Sequence, residues 1–457
     1  MIHALDIPIL GTFIKLHKVN KYGKKIRSLI ELNPEELKKF QLERLKKILK
    51  YAYENVELYR RKWDEAGVKP DDIKSLDDLY KIPITTKDDF RQGYPDKILS
   101  KEFKPEDCHI VGTSGSTGSP VKVFLDREKS FFEIAVSSKG MVGKYIGFKI
   151  KKPLSIVVTD EDALEILATK EFKQAKKFVF DALDSPENHV RIINKIKPDF
   201  IFSYPSVLRN ISILVKEQGI KIAKPKLIVT VGETMDPPTR KMIEETFECE
   251  ILDAYGSTEV GLIGVECNKH QGIHLAPWKI IVELVDENGM PVPPGTPGRV
   301  IVTDLFSKAT PIIRYSGLGD IATLKRGYCS CGVKTPVLER IEGRYVDSIV
   351  LPDRKIIHPF SLTLALQDIP FVNKFQIRQE KIDKIDILIV KEKNVSAKKA
   401  SFAKGSPLWR KIMRRYKKIL GDKVSISIKT VPDIPRRPGS HKYATVVSLL
   451  KKDTIGV

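Results

Sequence analysis

The 457 residues predict an α/β fold: a large N-terminal unit with parallel and antiparallel sheet, then a small α+β unit. Three observations carry this. From about residue 108, short β-rich runs (Leu154 to Val158, Phe200 to Phe202, Leu227 to Val231) alternate with helical stretches (Asn188 to Lys195, Ser206 to Glu217). That is the rhythm of βαβ units in a mostly parallel sheet. Between about 279 and 325, KIIVELVDENGMPVPPGTPGRVIVTDL joins two apolar alternations through Glu-Asn-Gly and Pro-Pro-Gly turn chemistry, as hairpins require. From about 345 onward, strand-like Lys384 to Val390 and Val424 to Lys429 flank a helical Leu408 to Leu420.

In chain order, the first clear element begins at Asn33, a capping residue followed by Pro34 at the first helical position and by Glu35 and Glu36 at the positive helix end. Leu37, Phe40, Leu45, Ile48, Leu49 and Ala52 then recur near helical spacing, which predicts an amphipathic helix of roughly five turns with a solvated basic face. The densest basic block lies at residues 391–423, with twelve Lys or Arg against two acids.

Composition narrows the class. With 42% hydrophobic and 30% charged residues the chain is globular, not disordered or collagenous. Lys and Arg exceed Asp and Glu by 79 − 58 = 21, which favours anionic partners such as polyphosphate nucleotides, although surface Lys enrichment gives the same excess. Five cysteines, sparse and odd in number, predict no disulfide scaffold. There is no apolar run of about 18 residues and no basic residue ahead of the short N-terminal apolar patch. The expectation is a cytoplasmic, multidomain protein without stable membrane insertion.

The chemistry-bearing segments are few. GTSGSTGSP, Gly112 to Pro120, offers glycines whose freedom lets successive N–H groups face one concavity, with hydroxyl donors between them. It leads into a strand, and no Gly-Lys-Ser/Thr follows, so it is a phosphate-type loop but not a Walker loop. DAYGSTEVG, Asp253 to Gly261, places an aromatic ring, hydroxyls and a carboxylate within a few residues; Glu259 is a hard oxygen ligand suited to Mg²⁺. PIIRYSGLGD ends on Asp320, a carboxylate able to accept from ribose hydroxyls. EGRYVDSIV carries Arg344, and IPRRPGSHKYATVV places Lys442 after a Pro-Gly-Ser turn.

The order of these segments resembles the adenylate-forming superfamily, and within it the phenylacetate–CoA ligase and CapK-like family. The span QLERLKKILKYAYENVELYRRKWDEAGVKPDDIKSLDDLYKIPITTKDDFR, SYPSVL, Val231 to Glu233 and LPDRKIIHPFSL resemble that family too, so the likeness covers about residues 30 to 450. It implies a large adenylate-forming domain over 1–343, with a helical leader at about 30–100 and a β-rich subdomain at about 265–343. A small mobile domain over 344–457 would carry the catalytic lysine. By resemblance, Ser114, Gly115, Ser116, Thr117 and Gly118 embrace the ATP phosphates, and Gly232 and Glu233 supply backbone around adenine. Tyr255, Gly256 and Ser257 frame the nucleotide, with Tyr255 on the adenine. Thr258 contacts the α phosphate, Glu259 holds Mg²⁺, Asp320 binds ribose, and Arg344 stands at the domain junction. Lys442 is the catalytic residue, and Tyr204, Ser206, Val231 and Trp278 neighbour the acid pocket.

Two departures from the family pattern stand out: Val346 where an Asp is common, and His441 where a Gly precedes the lysine. Cys267, His274, Cys329 and Cys331 have the thiolate and imidazole character of a structural zinc site, with His270 as the rival histidine. Some family members carry a similar Cys…His…Cys-x-Cys arrangement.

The function implied is ATP- and Mg²⁺-dependent activation of a small carboxylic acid to an acyl-adenylate, followed by transfer to coenzyme A. The alternatives are an adenylyltransferase or amide-forming ligase of the CapK type without CoA, and, more remotely, a non-catalytic nucleotide or nucleic-acid binder. Members of the resembled family are often dimers, which makes a homodimer one assembly open to the chain, and the sequence does not determine the oligomeric state; nucleic acid is not an expected partner.

Overall fold

The computed structural model describes residues 8–112, 121–136, 155–159, 177–344, 347–366, 369–392, 401–435 and 444–450. Its first helix, α1 (Pro8–Ile30), lies where the sequence reading placed no element. This helix has no acidic residue in its first turn; its C-terminal half is held by packing, with Ile26, Leu29 and Ile30 buried. Helix α2 (Pro34–Asn55) starts as read, about one turn longer than expected: Asn33 Oδ1 accepts from the amides of Glu35 and Glu36, and the Glu36 carboxylate accepts from the Asn33 amide. Two further leader helices follow, α3 (Glu57–Glu65) and α4 (Lys87–Gly93).

Strands β1 (His109–Gly112) and β2 (Lys122–Leu125) form an antiparallel hairpin, with Gly112 opposite Lys122. Helix α5 (Arg127–Ala135) leaves this hairpin at once, capped by Asp126. The βαβ rhythm is then realised by β3 (Ser155–Thr159), β4 (Lys177–Asp181), α6 (Pro186–Ile196), β5 (Phe200–Ser203), α7 (Pro205–Gln218), β6 (Leu227–Val231), α8 (Pro237–Phe247) and β7 (Glu250–Ser257). Strands β7, β6, β5, β3 and β4 pair in parallel in that order. Because side chains alternate along a strand, Ile228 and Ile251 pack with α6, α7 and α8 on one face, while Leu227, Val229 and Leu252 pack with α1 and α5 on the other.

The antiparallel strands extend this same sheet instead of forming one of their own. They are β8 (Gly261–Glu266), β9 (Ile273–Leu275), β10 (Ile280–Val285), β11 (Pro297–Asp304), β12 (Asp320–Leu324) and β13 (Val337–Arg344). The complete order is β10-β11-β12-β13-β9-β8-β7-β6-β5-β3-β4. The predicted hairpin is present as β10 against β11, Ile280 opposite Asp304 through Val285 opposite Arg299. The leader packs on this half: Leu45, Leu49, Tyr59 and Trp63 share a core with Ile280, Leu284, Val300 and Val302.

Beyond Arg344, a short hairpin of β14 (Ile349–Val350) and β15 (Ile356–Ile357) and helix α9 (Pro359–Leu364) lead into β16 (Val372–Lys381) and β17 (Lys384–Lys391). Helix α10 (Pro407–Leu420), β18 (Ser425–Thr430) and β19 (Val446–Ser448) complete a four-stranded sheet ordered β18-β17-β16-β19. Ile412, Tyr416 and Leu420 of α10 pack with Ile385, Ile387 and Ile389 of β17 in a core separate from the rest. The basic residues of α10 therefore lie off its buried stripe, as a solvated face requires.

Candidate nucleotide site and cysteine–histidine cluster

Parallel α/β sheets bind ligands beyond the carboxyl ends of their strands, and three of the segments singled out in the sequence emerge there. Tyr204 and Ser206 follow β5, Gly232 and Glu233 follow β6, and Thr258 and Glu259 follow β7. The first two are locked together: Glu233 accepts from the amide (2.8 Å) and hydroxyl (2.9 Å) of Ser206 at the start of α7. The Glu233 side chain thus serves the helix end, and Ser206 is tied to it. Tyr204 is buried, and Val231 ends β6 half-buried. Trp278 corrects the pocket reading. It is fully buried, edge-on to Phe132, in the core between sheet and α5, and presents no surface to a pocket.

The nucleotide-type residues converge from three parts of the chain. The Tyr255 hydroxyl donates to Asp320 Oδ2 at 2.7 Å. Burial and then the Asp320 charge push the Tyr255 pKa well above the ordinary phenol value, so it remains a donor. Asp320 stands opposite Arg344 in the β12–β13 pairing, which brings those two segments side by side. Glu259 is almost wholly buried, and its Oε1 accepts from Tyr315 at 3.1 Å. Thr258, beside it, is exposed. Gly256 allows the close return of the chain, since a Cβ there would lie 2.6 Å from the Gly261 carbonyl. Ser257 Oγ is buried with no hydrogen-bond partner among the described residues, the condition of an atom awaiting an acceptor.

Two residues of this site were not given roles by sequence reasoning. Lys87, in the first turn of α4, is depressed below the usual lysine pKa by burial; the charges of Glu259 and Asp320 oppose that shift, while Arg344 and Arg91 reinforce it. Tyr315 is fully buried and links Glu259 to the leader through its backbone bridge to Thr85. Both lay inside quoted segments; Lys87 was hidden because Thr86-Lys-Asp-Asp reads simply as a helix start, where Thr86 and Asp89 cap reciprocally.

The loop of Ser114, Gly115, Ser116, Thr117 and Gly118 lies outside the described residues, as do Lys442, Val346 and His441. Their anchors are described. Pairing of Gly112 with Lys122 brings the two ends of the first loop together. The second is gripped by β16, whose Gln376 amide donates to the Ala444 carbonyl at 3.0 Å and whose Ile377 amide donates to Thr445 O at 2.8 Å.

The four ligand-type atoms of Cys267, His274, Cys329 and Cys331 lie within 4.8 Å of one another. The Cys267 and Cys329 sulfurs are 3.6 Å apart, and Cys331 Sγ is 3.4 Å from His274 Nε2. Tetrahedral zinc–thiolate geometry places sulfurs about 3.8 Å apart, so the set fits that ion. His274 Nδ1 lies 3.0 Å from Thr335 Oγ1, which leaves Nε2 facing the thiols, the outer support that zinc-binding imidazoles require. Burial pushes the Cys267 thiol up to about 12 and pulls the His274 imidazole down to about 4. His270 is not part of this set: its ring nitrogens lie 3.1 Å from Glu250 and 3.3 Å from Glu266.

Residues 175–304 match the AMP-binding enzyme family, and residues 349–448 match the CapK C-terminal domain. The chain is 29% identical to the phenylacetate-coenzyme A ligase of Thermus thermophilus, covering 74% of this chain and 77% of that one. It is also 29% identical to the phenylacetate-coenzyme A ligase of Escherichia coli (strain K12), over 89% and 93% of the two chains. Among solved structures, 2-hydroxyisobutyryl-CoA ligase in its postadenylation state superimposes with a TM-score of 0.78 at 21% identity, over 93% of this chain and 92% of that one. No described helix is long and apolar enough to cross a membrane. The sheet, the converging nucleotide-type residues and the two matched domains lead to one conclusion: the chain carries an AMP-binding domain and a CapK C-terminal domain, and over most of its length it is similar to phenylacetate-coenzyme A ligases.

Proposed function

We propose that this protein is an AMP-forming acid–thiol ligase: it activates a small carboxylic acid with ATP to an acyl-adenylate and transfers the acyl group to coenzyme A. The observation that carries the reading is the convergence of Tyr255, Asp320, Glu259, Arg344 and Lys87 at one end of strands β7, β12 and β13. The matched family and the phenylacetate-coenzyme A ligases that resemble the chain support it. An aryl-alkanoic acid is the first class to test.

The residues divide the work by chemistry. Asp320, which accepts from Tyr255, would bind the ribose hydroxyls. Tyr255 lines the adenine side, Thr258 donates to the α phosphate, and the loop 114–118 donates to the departing phosphates. Glu259, a buried carboxylate with one phenol partner, would hold Mg²⁺, and that ion when bound supplies charge neutralisation on the phosphates. Lys442 would bridge the attacking carboxylate and the α phosphorus, where negative charge builds as pyrophosphate leaves. Residues 1–343 and 344–457 form the two units of this cycle, with the second turning to admit the thiol. Cys267, His274, Cys329 and Cys331 hold a structural zinc ion.

Pyrophosphate release is the test, with ATP and Mg²⁺ across a panel of carboxylic acids, each with and without CoA. An acid that drives release, with thioester forming only when CoA is present, is the expected result. Lys442→Ala should lower release by about three orders of magnitude while leaving ATP binding in place. AMP release without any dependence on CoA favours the CapK-type adenylyl or amide transfer instead. Absence of ATP binding rules out both readings.

A further inference from the structure

Behind the Thr258–Glu259 turn lies a buried charge cluster that no step of the proposed reaction touches. Lys279 is fully buried, and its ammonium donates to the carbonyls of Val260 and Leu262, both at 2.6 Å, with the Glu133 carboxylate 2.9 Å away. Two of its N–H donors are taken up by carbonyls, and the Glu133 carboxylate stands beside the ammonium as its counter-charge. Glu133 also lies 2.7 Å from the ammonium of Lys129, which in turn pairs with the fully buried Asp304. Two lysines and two carboxylates thus balance in the interior. Asp304 is itself fixed by the amides of Phe306 and Ser307 at 2.8 and 3.1 Å.

Stability alone gives no reason for such a cluster. Buried ion pairs gain little over well-packed apolar side chains, because desolvation cancels most of the attraction. Burial lowers the Lys279 pKa, a cost that Glu133 and Asp304 only partly offset. What the cluster does hold is geometry. The two carbonyls bound by Lys279 flank Gly261, which has φ of +69°, and the Glu133 carboxylate fills the space a Cβ would need there. Lys129 and Glu133 belong to α5, which departs directly from the hairpin that bears the loop 113–120. The cluster therefore joins the phosphate-type loop's scaffold to the turn carrying Thr258 and Glu259.

We propose that Lys279, together with Glu133, Lys129 and Asp304, is a positioning device that fixes the Thr258–Glu259 turn relative to the β1–β2 hairpin. It sets the spacing at which Mg²⁺ and the phosphates of ATP are held. This rests on the nucleotide reading above. Its consequence is selective: the loss should fall on Mg²⁺-assisted ATP binding and adenylation, not on thioester formation.

The test uses the full chain and Lys279→Met, with Glu133→Gln as a near-isosteric second variant should the first not fold. Titration calorimetry with ATP, with and without Mg²⁺, is the primary readout, and the two half-reactions are the second. Wild type should gain ATP affinity with Mg²⁺. Lys279→Met should lose most of that gain and lower adenylation by about 10–100-fold, with Glu133→Gln at the lower end. Conversion of supplied acyl-adenylate with CoA should stay within about threefold of wild type. A folded variant that keeps the Mg²⁺-linked gain, or that loses both half-reactions equally, overturns the positioning role. Wild type that binds no ATP removes the nucleotide reading itself, and with it this proposal.

Discussion

Strand β8 has two differently fastened ends. At Gly261, the turn before the strand is held from behind by Lys279 and Glu133, charges brought from two distant segments. At Glu266, the strand runs into Cys267 and a knot of three sulfurs and one imidazole. The first end needs a directional clamp, because it presents Thr258 and Glu259, and ammonium–carbonyl bonds fix two peptide groups at once. The second end gathers ligand-type atoms from the loops 267–274 and 329–331, and the zinc proposed there would supply folding energy irrespective of the chemistry elsewhere. On the two proposals made above, one strand separates a device for placement from a device for stability.

The comparison can be broken at the metal end first. Chelation or Cys329→Ser should remove one zinc per chain, read by metal analysis, and destabilise the large unit by on the order of 5 kcal/mol. The ratio of the two half-reactions should be unchanged in the protein that remains folded; a selective fall in adenylation would erase the distinction drawn here. Next comes a matched pair of glycines. Gly272, with φ of +116°, lies where a Cβ would run into the backbone carbonyl of Leu338, so nothing can yield. Gly272→Ala should cost about 3 kcal/mol in denaturant melts. At Gly261 the obstacle is the Glu133 carboxylate, which can swing aside. Gly261→Ala should therefore cost less stability, about 1–2 kcal/mol, while lowering adenylation more than Gly272→Ala does.

The smallest effect lies on the neighbouring strand β7. Asp253 is half-buried, accepts from Thr230 at 2.7 Å, and is pushed up to about 7 by loss of water around its carboxyl. It stays protonated in the folded chain over a range where the unfolded chain has already ionised it, so folding binds a proton there. Stability attributable to Asp253 is complete below about pH 4 and lost as pH rises towards 7. Melts at pH 5.5 and 7 should differ by about 1–2 kcal/mol on this account, and Asp253→Asn should flatten the difference. An equal slope in the variant would assign the titration elsewhere.

Sequence reading reached what local chemistry encodes. The Asn33-Pro-Glu-Glu start is a reciprocal cap, and two apolar alternations around Glu-Asn-Gly are an antiparallel pair. The Cys and His spacing anticipated a set whose atoms meet within 4.8 Å. It missed α1, whose helix has no cap signal; Tyr22 of α1 instead donates to Glu128 and packs edge-on to Phe132 of α5. It set Trp278 beside a pocket when that ring is core. It also left Lys279 unremarked, since a lone lysine in Pro-Trp-Lys-Ile carries no motif.

By itself, then, the sequence determined periodicity, caps, turns and the residue types able to bind phosphate, magnesium or zinc, because each depends on neighbours a few positions away. Only the tertiary structure decided that one sheet runs unbroken from its parallel to its antiparallel half. It also decided that Tyr255 meets Asp320 and that four charges from three segments cancel behind the Glu259 turn. The physical reason is desolvation. A lysine is a surface residue in any local window, and it becomes a clamp only when folding removes water and brings two carbonyls and a counter-carboxylate to it at once.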